Sequence, residues 1–197
     1  MKRGYAITLA NVISLVLSAP SIAGVASIAF AFTFPNDLGP MIGPLQAAII
    51  GVLTLAVLPV IPIFYYRRKG VVDLYVSDRK KRPSLFLFAI MCYALGAMMF
   101  KITQSRMMLK LALAYFFVSL SIMAITLFWK ISVHAAGIAG PSTMFILVYG
   151  LNLLPIYLLT AVSIWARTIV KAHTLLQAIT GAAAAALVTT VVYIVIP

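Results

Sequence analysis

The chain has very little negative charge. Its 197 residues include three Asp and no Glu, against 15 Lys and Arg, so the net charge at pH 7 is +12. Magnesium sites are built from carboxylates, and this chain is short of them. We therefore expect chemistry without a metal or any other cofactor. The basic excess favours acidic partners, namely anionic lipid headgroups or a phosphate substrate.

Cysteine and charged residues are also scarce. A single cysteine, Cys92, excludes a disulfide framework and a thiolate metal site. Charged residues make up 9% of the chain and hydrophobic residues 64%, whereas a soluble domain carries about 25% charged residues. The chain is therefore predicted to be an integral membrane protein with one domain over residues 1–197. Nucleic acid is excluded as a partner because no soluble domain is present to hold it, and nothing in the sequence indicates an oligomeric state.

Long apolar stretches predict an all-α, polytopic bundle. A membrane-spanning helix needs about 20 apolar residues, and about seven (six to seven) stretches qualify. We expect Pro20 to kink the first. The predicted spans are Ala6–Phe34, Ile42–Tyr66, Pro83–Phe100, Leu109–Trp129, Ser132–Gly150, Leu153–Ala166 and Thr174–Ile196.

The basic residues predict the orientation of the bundle. With seven crossings, 12 of the 15 Lys and Arg lie on the side of the N-terminus. The three on the other side are Lys101, Arg106 and Lys110. Cytoplasmic loops carry the excess of Lys and Arg, so the N-terminal side is expected to face the cytoplasm, with the protein in the plasma membrane.

Three polar clusters fall on this same side. They are Asp78–Pro83, Lys130–His134 and Arg167–His173, and they contain both histidines of the chain. Cations around a phosphate stabilise the charge that develops during phosphoryl transfer. One imidazole can attack phosphorus while the other supplies a proton to the leaving oxygen. The clusters therefore predict a phosphoryl-transfer site at one membrane face.

The third cluster also contains a pair of side chains at helical spacing. His173 and Gln177 are four residues apart, which places them on one face of a helix. The Gln177 amide is expected to accept the proton of one ring nitrogen of His173. The other ring nitrogen is then left for the reaction.

The three clusters resemble the motifs of the type 2 phosphatidic acid phosphatase superfamily. This group includes membrane lipid phosphatases and is related to vanadium haloperoxidases. Its pattern reads Lys-x6-Arg-Pro, then Pro-Ser-Gly-His, then Ser-Arg-x5-His-x3-Asp. The residues that carry the resemblance are Arg82-Pro83, Ser132-x-His134 and Arg167-x5-His173 with Gln177.

The resemblance implies a role for each matching residue. Arg82 and Arg167 would bind phosphate with help from Ser132, and His134 would be the general acid. His173 would be the nucleophile, oriented by Gln177. Lys80, Lys81 and Lys130 are candidates for the place of the family's lysine, and of these Lys81 and Lys130 are assigned to phosphate binding. The sequence departs from the pattern at Tyr75, Ile131, Val133, Ala166 and Gln177.

The predicted function is thus a metal-independent membrane phosphatase that acts on a lipid phosphate or an isoprenoid diphosphate through a phosphohistidine. One alternative is an anion or lipid transporter, which needs polarity through the depth of the bilayer. Another is an inactive scaffold of the same fold, which the departures at Ala166 and Gln177 keep open. A prenyltransferase would need two Asp-rich motifs, and Asp73 and Asp78 supply one at most.

Overall fold

All regular structure in the computed structural model is helical. It describes residues 2–73, 75–76 and 78–196, and within these ranges no strand forms. The all-α membrane bundle predicted from the apolar stretches is therefore confirmed. The helices are α1 (Lys2–Val16), α2 (Ala19–Thr33), α3 (Pro44–Gly51), α4 (Ile61–Arg68), α5 (Arg82–Ile102), α6 (Arg106–Phe128), α7 (Val133–Tyr149), α8 (Tyr157–Ile169) and α9 (Leu175–Val195).

The first apolar stretch is broken, as its proline predicts. Helix α1 ends at Val16, and α2 begins two residues after Leu17 at an angle of 42°. Ser18 caps α2, because its hydroxyl accepts the backbone N–H of Ser21 at 3.3 Å. Pro20 lies in the first turn of α2, where a missing N–H costs no helical hydrogen bond.

The second apolar stretch is one rod with an irregular centre. Residues Pro44–Arg68 run continuously, but a π-helical segment, Val52–Val57, and a 3-10 turn, Leu58–Val60, separate α3 from α4. Pro59 and Pro62 have no backbone N–H to donate to the preceding turn, so a regular α-helix cannot continue through this segment.

The number of spans agrees with the prediction only in part. Five helical stretches in the described residues are long and apolar enough to cross a membrane, and the bent pair α1–α2 makes six. The remaining predicted span, Ser132–Gly150, forms α7, which has 17 residues and is shorter than the about 20 of a typical crossing. The side chains of Lys2 and Arg3, which the orientation argument counts, lie outside the described part of the chain.

Small residues bring the ends of α7 and α9 together. A Cβ on Gly181 would lie 2.6 Å from the carbonyl oxygen of Ser132, so only glycine allows this approach. The backbone N–H of Ser132 also donates to the carbonyl of Gln177 at 3.2 Å. Arg82 ties the start of α5 to the same place, because its guanidinium donates to the carbonyl of Ile131 at 3.0 Å. The starts of α5, α7 and α9 therefore meet at one end of the bundle.

Candidate active site

A cavity of about 290 Å³ opens where these helix ends meet. Four of the residues predicted from the sequence line it together: Arg82, His134, Arg167 and His173. They come from α5, α7, α8 and the connection before α9. The structure thus joins groups that are up to 91 positions apart in the sequence.

Arg82 is buried and holds the wall of the cavity. Its Nε donates to the carbonyl of Val76 at 2.9 Å, and its Nη1 donates to the carbonyl of Ile131 at 3.0 Å. These bonds connect the loop before α5 with the link between α6 and α7. Its guanidinium therefore organises the site while contributing positive charge to the cavity that it lines.

Arg167 is buried in a different way. Its side chain is 2% exposed, and among the described residues its Nε and Nη1 have no hydrogen-bond partner. The guanidinium carbon lies 4.4 Å from the centre of the Tyr75 ring, a cation–π contact that leaves the N–H groups unused. Buried donors are rarely left unpaired. Since Arg167 lines the cavity, its free N–H groups are suited to an anion placed there.

The predicted contact between His173 and Gln177 is present. Nδ1 of His173 lies 3.3 Å from Oε1 of Gln177. The same amide oxygen accepts the backbone N–H of Thr174 at 3.1 Å as part of the cap of α9, which fixes it as an acceptor. The His173 proton must therefore be on Nδ1, so Nε2 keeps its lone pair.

The charge around His173 keeps its ring neutral. Burial, together with the positive charges of Arg82, Lys130 and Arg167, lowers the pKa of His173 to about 3. The hydrogen bond to Gln177 opposes this shift but does not cancel it. A neutral imidazole at physiological pH is the form that can act as a nucleophile.

The region carries an excess of positive charge. Lys130 is near enough to Arg82 and Arg167 that burial and their charges lower its pKa. Asp73 provides the opposing negative charge to all three cations. Among the described residues of this group, three cations against one carboxylate leave a net charge of about two, which matches a phosphate dianion.

His134 lies in the first turn of α7 on the same cavity. Its ring meets the edge of Tyr75 with the ring centres 5.5 Å apart, and it lies near the backbone of Ser14. An imidazole in this position can take up or release a proton in the cavity. Tyr75 thus contacts both Arg167 and His134.

Three predicted phosphate ligands lie outside the cavity lining. The Ser132 hydroxyl caps α7 by accepting the backbone N–H of Ala135 at 3.3 Å, and Ser132 is not among the described residues that line the cavity. Lys81 donates to the carbonyl of Val71 at 2.6 Å and faces the Asp78 carboxylate at 4.0 Å. Lys130 is also outside the cavity lining but acts on it through its charge.

In the sequence, Tyr75 stands out only as a departure from the first motif of the phosphatase family. Its contact with Arg167 gives it a structural role that no local pattern signals, because the two residues are 92 positions apart. Asp73 interacts electrostatically with the arginines of this cluster. In the described part of the chain no three His, Cys, Asp or Glu side chains come together in a way that could hold a metal ion.

Comparisons with known proteins give no match. No family model, no curated protein and no solved structure matches this chain. The geometry of the cavity and the motif resemblance in the sequence are therefore the features that bear on function.

Proposed function

We propose that the protein is an integral-membrane phosphatase that hydrolyses a lipid phosphate or an isoprenoid diphosphate through a phosphohistidine. The observation that carries the proposal is the buried Arg167, whose Nε and Nη1 are unpaired in a cavity that also contains His173. An anion placed there pairs these donors and meets a ring with a free lone pair. The metal-independent route follows from the small number of carboxylates in the chain.

In the first step, Nε2 of His173 attacks phosphorus. The new N–P bond forms as the bond from phosphorus to the lipid oxygen breaks. His134 has received a proton from the monoanionic phosphate on binding, and it gives this proton to the leaving oxygen. The lipid alcohol then leaves; with a diphosphate substrate, the lipid monophosphate leaves instead. Arg167 and Arg82 hold the phosphoryl oxygens, where charge develops.

In the second step, water replaces the histidine. Its oxygen attacks phosphorus, the N–P bond breaks, and His134 takes the proton that the water loses. His134 returns this proton to the inorganic phosphate, which leaves as the monoanion, so both histidines are neutral again. Gln177 keeps the proton on Nδ1 throughout, so that Nε2 is the atom that is phosphorylated and released.

The first test compares His173→Ala with the wild-type protein in detergent. Release of inorganic phosphate from isoprenyl diphosphates and phosphatidate is measured with malachite green, with and without EDTA. We expect wild-type activity in EDTA and a loss of more than about 10³-fold in the variant, because the nucleophile is gone. Leu176→Ala, an exposed position in the adjoining helix α9, is the control and keeps full activity.

Two outcomes contradict the proposal. Full activity of His173→Ala rules out the phosphohistidine route. Anion flux into liposomes with no phosphate release from any substrate supports the alternative of a transporter. The site is proposed to face the cytoplasm in the plasma membrane, as the distribution of basic residues suggests.

A further inference from the structure

The cavity continues from the polar residues into the bundle as an apolar channel. Leu85, Phe86, Ala89 and Tyr93 line it from one face of α5, at spacings of three and four residues. Leu55 and Pro59, from the irregular segment between α3 and α4, also line it. A phosphate held by Arg82 and Arg167 therefore has an apolar space directly below it.

Tyr93 is at the far end of this channel. Its side chain lies near Ser119 on α6, and both residues line the cavity. The same two side chains also line a second, smaller cavity of about 50 Å³. Tyr115 lines only that second cavity, and its ring centre is 5.5 Å from that of Tyr93. The Tyr93 ring is therefore part of the wall between the two spaces, together with Ala19, Phe86 and Val133, which also line both.

The channel is reachable from the lipid. Leu15 on α1 and Phe64 on α4 both line it, and they are 59% and 50% exposed. Helix α1 packs on α8 and α4 packs on α5, and among the described residues α1 and α4 form no packed interface with each other. A hydrocarbon chain can therefore enter sideways between these two helices while its headgroup stays at the helix ends.

We propose that Tyr93 sets the chain length of the substrate, which is a phosphate carrying one linear hydrocarbon chain. This inference rests on the proposed phosphatase function. From Arg82 to Tyr93 the helix rises about 16 Å, at about 1.5 Å per residue. An extended carbon chain with bonds of about 1.5 Å and angles near 111° advances about 1.25 Å per carbon, so about 13 main-chain carbons fit, or about three isoprene units.

The test measures phosphate release from prenyl monophosphates of two, three, four and five isoprene units. The wild-type protein is expected to be fastest with about three units. Tyr93→Ala opens the channel into the second cavity and moves the optimum to four or more units. Tyr93→Phe keeps the ring and serves as the matched control, so its optimum stays with that of the wild type.

Ala89→Leu tests the same idea without removing any side chain. Ala89 is one helical turn nearer to the phosphate than Tyr93, about 6 Å or about one isoprene unit. A larger side chain there shortens the channel, so the optimal chain length falls to about two isoprene units. This variant keeps the proposal testable if Tyr93→Ala fails to fold.

Prenyl alcohols of the same lengths give a readout that does not depend on catalysis. Thermal stabilisation of the wild-type protein by the alcohols is expected to rise with length up to about three units and then level off or fall. If chain preference is the same in the wild type, Tyr93→Ala and Ala89→Leu, the role of Tyr93 is overturned while the phosphatase proposal stands. If no variant releases phosphate but the alcohols stabilise with this length dependence, the phosphatase proposal fails and the channel stands.

Discussion

Replacing Arg167 with methionine should have opposite effects on activity and on stability. Methionine has similar length and no charge, so the change removes the donors of Arg167 without opening a large space. In the proposed complex the phosphate oxygens accept hydrogen bonds from the two donor nitrogens that are now unpaired, Nε and Nη1. Charge-assisted hydrogen bonds contribute about 1.5–3 kcal/mol each. Losing both therefore costs about 3–6 kcal/mol, or about 10²–10⁴-fold in kcat/KM.

The same substitution should raise the stability of the substrate-free protein or leave it unchanged. An unsatisfied buried donor costs about 1–3 kcal/mol, and Arg167 has two of them. The contact with the Tyr75 ring offsets up to about 2 kcal/mol of this, and the charge of Asp73 offsets a further part. Replacing a buried charge by an apolar side chain is often neutral or stabilising. The melting temperature of Arg167→Met should thus be no lower than that of the wild type.

Two measurements on the same purified protein check this prediction. Initial rates give kcat/KM, and thermal unfolding in detergent is followed with and without orthovanadate, a phosphate analogue. Arg79→Met is the matched control, because Arg79 donates to the carbonyl of Leu127 at 3.1 Å and is not among the described residues that line the cavity. Arg167→Met is expected to lose the stabilisation by vanadate and to unfold at no lower temperature than the wild type. A variant that unfolds at a lower temperature yet is still stabilised by vanadate contradicts both expectations.

Two further predictions concern His173, the proposed nucleophile, and the orientation of the protein. NMR of labelled histidine should show the His173 ring neutral from pH 8 down to about 4, because its pKa is lowered to about 3. In Gln177→Glu the carboxylate should raise that pKa by about one to three units; a wild-type ring that titrates near pH 6.5 would contradict the burial argument. Met41 and Val71 are 64% and 44% exposed, so a cysteine at either position can be labelled. In a Cys92→Ser background, Met41→Cys should react with an impermeant maleimide on intact cells, because the predicted orientation places it outside. Val71→Cys should react only after permeabilisation. The reverse pattern places the site outside the cell.

Most of the helices could be predicted because the apolar runs are long and their ends carry local signals. Ser132 and Thr174 cap α7 and α9 with their hydroxyl groups, at the positions where the predicted spans begin. The π-helical segment at Val52–Val57 could not be predicted, because hydropathy does not register the hydrogen-bond pattern. The break before Pro20 was placed correctly to within three residues, since proline favours the first turn of a new helix.

The site could be predicted only where its contacts are local in sequence. The contact between His173 and Gln177 follows from a spacing of four residues on one helix. The stacking of Tyr75 on Arg167 depends on how the loop before α5 folds over the end of α8, and no local pattern contains that information. For Ser132 the same residue fits two patterns, a phosphate ligand and a helix cap, and in the structure its hydroxyl caps α7.

The tyrosine at position 75 changes how the cavity balances its charge. A lysine there would add a third cation to the two guanidiniums of Arg82 and Arg167, and the repulsion would oppose the burial of all three. The Tyr75 ring instead stabilises the buried Arg167 through its face, without using any of its N–H groups. Because those groups stay available, an aromatic residue at this position is compatible with phosphate binding and supports it. The charge that a lysine would supply comes from Lys130, which acts on His173 from outside the cavity lining.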